Sequence, residues 1–190
     1  MTTPSPRTES TPPVAPRDGV DLLDACHRET LATLHKLAAL IRRIDEHGTD
    51  PEAQALAAEI VVFFSTTARQ HHEDEERHVF PRMLQSPDPE IVQAIQRLQQ
   101  DHGWLQEDWR ELGPQIDALA GGQSWVDLDI LREGVDIFLA LSHEHMELEE
   151  SLIYPALRAQ LLTRDRREMG REMVARRRAT HKAAPKAPRP

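Results

Sequence analysis

His71 and Glu75 stand four residues apart, as do His145 and Glu149. On a helix, each pair shares one face, a turn apart. His71 follows Phe64 by seven residues and His145 follows Phe138 by seven, so each pair continues an apolar stripe. His27 lies on a stripe between Leu23 and Leu34, and His102 lies on one between Leu98 and Trp109. Four imidazoles and two carboxylates are thus aimed at one interior. Buried without partners, such carboxylates are costly or take up protons. A metal centre satisfies all six groups at once. Six ligands suit two metals if the carboxylates bridge, with positions left open for solvent or a small ligand. The mixture of imidazole and carboxylate favours non-haem iron, ahead of manganese and zinc. It is richer in nitrogen than ferritin-type sites, which use Glu-x-x-His.

The same groups define an internal repeat. At an offset of 75, Leu23 aligns with Leu98, His27 with His102, Leu34 with Trp109 and Ile41 with Ile116. At an offset of 74, Phe64 aligns with Phe138, His71 with His145, Glu75 with Glu149 and Pro81 with Pro155. Apolar matches alone carry little, because any two amphipathic helices slide into agreement. The joint match of His, His, Glu and Pro is much harder to obtain by chance. The chain reads as two copies of one helix pair.

Neighbouring groups fit the repeat less well. His72 with Glu76 is another i, i+4 pair, but the counterpart of His72 is Met146, so it reads as a surface or supporting group. His143 with Glu147 breaks the offset that aligns the prolines and reads the same way. Glu75 and His78 form a Glu-x-x-His step whose counterpart in the other copy is Leu152. His35 reads as solvated or supporting. Glu76 and Glu150 follow the two candidate carboxylates and either orient histidines of neighbouring helices or carry surface charge. Cys26 and Tyr154 read as core packing, since the counterpart of Tyr154 is Phe80, without a hydroxyl. Pro81 and Pro155 are expected to bend their helices just beyond the candidate ligands.

Four long helices must position these residues. Helical spacing of apolar residues runs from about Asp21 to Glu46, from Pro51 to Leu84, from Pro89 to Leu119 and from Trp125 to Ala159. Asp50–Pro51 and Asp88–Pro89 are cap-and-start signals, and Ser124 with Asp127 resembles a capping box. Pro114 is expected to kink or interrupt the third helix. Short turns between long helices favour an all-α, antiparallel up-down-up-down four-helix bundle. The domain reading is a disordered Pro-rich leader over 1–19, the bundle over 20–161 and a basic tail over 162–190. That tail is expected to be partly helical, with a short basic helix over Arg164–Arg178, then disordered.

Composition narrows the function classes. Aromatic residues make up only 4% of the 190, which argues against an all-β fold. The segment from Arg164 onward carries ten Lys/Arg against three acidic residues, and the first 19 residues are neutral. Given a total of −9, residues 20–163 therefore hold about −16. An acidic body argues against nucleic-acid binding and suits uptake of cations. A single cysteine, no apolar run of membrane-span length and no signal-peptide pattern indicate a cytoplasmic protein.

The segments HHEDEERHVFP and HEHMELEESLIYP resemble the two metal-binding helices of the hemerythrin-like, HHE cation-binding family. His27 and His102 match that family's lone histidines on helices one and three. The resemblance covers about residues 20–160. It implies a four-helix bundle holding two non-haem irons with an oxo or hydroxo bridge. It also implies dioxygen, nitric oxide or peroxide as the small ligand. In the oxygen-carrying hemerythrins of invertebrates helix three has two histidines; here the place one turn after His102 is Gln106.

The leading expectation is a diiron protein that binds or senses dioxygen, nitric oxide or iron, or buffers oxidative stress. One rival is a diiron enzyme that turns over peroxide or supports iron–sulfur cluster repair. Another is a helical interaction module without metal. A sensor would signal through a protein partner, for which the basic C-terminal tail is the candidate surface.

Overall fold

The computed structural model of the chain describes residues 18–123 and 125–183. The expectations for the leader over 1–17, for Ser124 and for the last seven residues lie outside them. All regular structure among the described residues is helical. No described helix is long and apolar enough to cross a membrane.

Five helical rods, rather than four, make up the described chain. The first is α1 (Gly19–His47). The second joins α2 (Pro51–Val62), a π-helical segment (Phe63–Ala68), α3 (Arg69–His78) and α4 (Phe80–Met83) end to end. The third is α5 (Pro89–Ala120). The fourth joins α6 (Leu128–Leu148), a second π-helical segment (Glu149–Ile153) and α7 (Tyr154–Gln160). The fifth is α8 (Thr163–Ala183).

An aspartate opens each of the first four rods. The carboxylates of Asp18, Asp50, Asp88 and Asp127 accept from the backbone N–H groups of Val20, Ala53, Glu90 and Asp129 at 2.8–3.0 Å. They satisfy donors that a helix start otherwise leaves bare. α1 therefore begins two residues before the expected Asp21, and α6 begins at Leu128, capped by Asp127, rather than at Trp125. At the end of α1, Gly48 takes φ 69° while its N–H donates to the Ile44 carbonyl at 2.9 Å. That left-handed turn suits glycine, which has no Cβ to clash.

The three prolines differ in what surrounds them. Val79 (φ −99°, ψ −62°) separates α3 from α4 just before Pro81, and the freed His78 carbonyl accepts from Arg82 Nη1 at 2.8 Å. Pro155 has no N–H for the Ser151 carbonyl, and the helix widens to π geometry over Glu149–Ile153 immediately ahead of it. Pro114, by contrast, does not interrupt α5, which runs through it to Ala120.

Apolar side chains form two clusters. One gathers Leu34, Leu37, Ile60, Phe64, Leu112, Ile116 and Phe138. The other gathers Leu23, Phe80, Ile95, Leu98, Tyr154 and Leu157. Along α1 the switch from one cluster to the other falls at His27, and along α5 it falls at His102. The second rod switches across His71 and Glu75, and the fourth across His145 and Glu149. The polar groups therefore lie in the layer between two apolar plugs.

The basic segment is longer and more integrated than the short helix expected of it. Met169 and Met173 on α8 are buried in the second cluster. Arg166 Nε donates to Asp18 Oδ2 at 2.7 Å, and Arg177 Nη2 donates to the buried Asp74 Oδ2 at 2.8 Å. Arg176 also pairs with Asp74 and reaches Glu73 at 3.1 Å. α8 is thereby tied to the start of α1 and to the helix that carries His71.

Candidate metal centre

All six predicted residues meet in the layer between the plugs. His27, His71, Glu75, His102, His145 and Glu149 are each at most 5% exposed. The two carboxylates hold equivalent places. Glu75 Oε2 lies 3.4 Å from His71 Nε2 and 3.5 Å from His102 Nε2. Glu149 Oε2 lies 3.3 Å from His145 Nε2 and 3.1 Å from His27 Nε2. Each carboxylate thus spans an imidazole of its own helix and one from a neighbouring rod, as the sequence repeat implies.

The outer nitrogens show what the inner ones are free to do. His27 Nδ1 donates to Glu150 Oε1 at 2.9 Å, and His102 Nδ1 donates to Glu76 Oε1 at 3.0 Å. Those bonds put the ring proton on Nδ1 and leave the Nε2 lone pair facing a carboxylate oxygen. Two lone pairs at such distances repel unless a proton or a cation lies between them. Of the two readings open for Glu76 and Glu150, orientation of ligand-bearing rings is the one the geometry supports.

The burial of these groups without partners tests the site's fit to a cation. Both nitrogens of His71 and of His145, Nε2 of His102, Oε2 of Glu75 and both oxygens of Glu149 are buried and make no hydrogen bond. Native interiors leave few polar atoms unpaired, because each costs its full desolvation penalty. So many in one layer, all nitrogen and oxygen, suit a transition metal with mixed imidazole and carboxylate ligation. Burial, with the charge of Glu75, holds the Glu149 carboxyl well above the usual range. Burial pushes the His71 imidazole down to about 3. A neutral imidazole with its lone pair free is the ligating form.

Two overlapping groups of ligand atoms emerge. His27, His71, Glu75 and Glu149 bring one atom each within 4.8 Å of one another, and so do His72, Glu75, His102 and His145. Glu75 is common to both. His72 is the residue that sequence reasoning set aside. Its ring stacks on His102 with centroids 4.0 Å apart and meets His145 edge-on at 5.6 Å. The missed signal is local: Glu75 is i+4 from His71 and i+3 from His72, so both rings flank one carboxylate. The repeat rewards symmetry, and His72 breaks it.

Tyr154 also differs from its reading as plain core. Its O–H donates to Glu75 Oε1 at 2.5 Å, and its oxygen lies 3.0 Å from His27 Nε2. Phe80, its counterpart, packs on His102 with centroids 5.0 Å apart. The other candidates stand apart: His35 and His143 are exposed, and His78 is buried near Glu172 at 3.8 Å. Cys26 is buried, and burial pushes its thiol up to about 12.

A cavity of about 480 Å³ opens onto the imidazole face. Its walls include His71, His72 and His102 together with Phe64, Trp109 and Phe138. Gln106 lines it too.

A helical body with a buried layer of histidines and glutamates open to a cavity defines a metal-binding helical protein. The comparison with known families agrees. The chain belongs to the hemerythrin HHE cation-binding domain family, whose model matches residues 18–157. It is also similar to a protein of Haemophilus influenzae strain Rd described only as uncharacterized. The two are 30% identical over 161 residues, covering 83% of this chain and 89% of the relative.

Proposed function

We propose that this chain is a non-haem diiron protein that binds or senses a small ligand such as dioxygen or nitric oxide, or iron itself, or buffers oxidative stress. The observation that carries the reading is the pair of ligand groups sharing Glu75, in which His71, His102, His145, Glu75 and Glu149 all bring buried atoms with no hydrogen-bond partner. In this reading the first four rods form an antiparallel up-down-up-down bundle. Support comes from the short turns joining consecutive rods and from the packing of α1 on α2, α2 on α5, α5 on α6 and α6 back on α1.

His27, His71, His102 and His145 would hold the ions from four rods, with Glu75 and Glu149 between them. Bound there, the irons supply redox-active Lewis-acid positions for the small ligand. Glu76 and Glu150 hold the ring tautomers so that the Nε2 lone pairs stay aimed inward. Phe64, Phe138 and Met146 give the cavity an apolar stretch of wall, which limits water along that stretch. The Tyr154 phenol holds one oxygen of Glu75 in place.

Anaerobic reconstitution with ferrous iron tests the reading, with metal per chain and the near-ultraviolet spectrum measured before and after air. Two irons per chain, with bands that appear in air and vanish in His71→Ala and His145→Ala, are expected. Fewer than one tightly held metal, with variants indistinguishable from the parent, would return the chain to the class of helical interaction modules.

A further inference from the structure

We propose that His72 is a seventh metal ligand, and that it makes the two metal positions chemically unlike. The inference rests on the proposed binuclear site and adds to it. One position would be rich in nitrogen, with His72, His102 and His145 around Glu75. The other would have equal nitrogen and oxygen, with His27 and His71 facing Glu75 and Glu149. The four ligand atoms of each group lie within 4.8 Å of one another.

Three observations converge on His72. Its backbone neighbour His71 serves one group while His72 serves the other, and Glu75 lies one helical turn from both. Its ring is stacked on His102 at 4.0 Å with an interplanar angle of only 14°. The two histidines grouped with it, His102 and His145, carry buried nitrogens with no hydrogen-bond partner: Nε2 of His102 and both nitrogens of His145. In the second copy of the repeat, Met146 stands where His72 stands in the first. A thioether there adds no nitrogen, so the pseudo-symmetric site acquires an extra imidazole on one side alone.

Ligand type sets metal preference. Imidazole suits zinc, copper, iron and nickel, whereas carboxylate favours manganese and magnesium. The His72 position would therefore take a late transition metal more tightly than its neighbour, and the two positions would fill in sequence rather than together.

Titration of the full chain with cobalt(II), without oxygen, tests this. The readouts are metal retained per chain after desalting and the visible spectrum. The parent should bind two ions in separate steps. His72→Ala and His72→Gln should each keep one step unchanged and weaken the other by more than about a hundredfold, beyond the roughly 10- to 100-fold cost of losing an outer partner. Helical content by circular dichroism checks that both variants fold; His72 is only partly buried, so both should. Two ions held by both variants at the parent's affinity and with its spectrum would overturn the proposal while leaving the binuclear site standing. A parent that holds no cobalt would overturn both.

Discussion

The Glu150 carboxylate accepts from His27 Nδ1 at 2.9 Å across a sequence separation of 123 residues. Its counterpart, Glu76, does the same for His102 at 3.0 Å. Each acid is half exposed while the ring that it holds is buried, so it is placed to orient rather than to bind. Glu150→Gln and Glu76→Gln should keep both metals per chain but lower affinity about 10- to 100-fold. Competition with a chelator measures this. Unchanged affinity in both variants would reduce these contacts to surface pairs.

Glu149 is fully buried, and its carboxylate oxygens make no hydrogen bond. Its raised pKa means that the folded apoprotein holds a proton there that the unfolded chain releases above the ordinary carboxylate value. Apoprotein stability from this group is therefore present at low pH and lost as pH rises. Glu149→Gln should raise the melting temperature of the metal-free protein at neutral pH by several degrees, about 1–3 kcal/mol. The same variant should bind metal poorly. A metal-free variant that melts below the parent would contradict the argument.

His71 acts in the opposite direction. Its folded value of about 3 lies below the ordinary 6.5, so the unfolded chain binds a proton that the fold refuses. Stability contributed by the neutral ring is present above about 6.5 and declines as pH falls toward 3. The melting temperature of the apoprotein should fall between pH 7 and pH 4.5, and His71→Gln should flatten that fall. An identical slope in the variant would show that another group governs the acid limb.

Met173 on α8 is fully buried in the second apolar cluster, beside Leu23 and Val20 of α1 in the same core. Met173→Ala should cost about 2–5 kcal/mol in denaturant unfolding, as for other large-to-small changes in cores. An effect near zero would mean that α8 frays from the bundle in solution.

Much of this molecule was legible in the order of its residues. Aspartate followed by proline announced two helix starts, and stripes at helical spacing placed the first four rods. The doubled His and His-x-x-x-Glu pattern located six groups that meet in one layer. That reading worked because helical periodicity converts sequence spacing directly into direction: residues four apart share a face wherever the helix is placed.

Other features depend on contacts between rods. Ser124 and Trp125 suggested one start for α6, yet Asp127 makes the cap. The basic segment read as a tail with one short helix, since charge is visible in sequence but the burial of Met169 and Met173 in the second cluster is not. The π-helical segment over Phe63–Ala68 has no proline to announce it. Tyr154 and Phe80 look interchangeable until the fold sets one hydroxyl beside Glu75 and His27.

His72 marks the boundary most clearly. By itself the sequence determined that a histidine and glutamate layer exists and which helices carry it, because those are questions of period and repeat. Only the tertiary structure decided that His72 joins the layer. Stacking of one ring on another, across helices that are distant in sequence, depends on how far two rods approach and rotate, and no spacing along either helix encodes that.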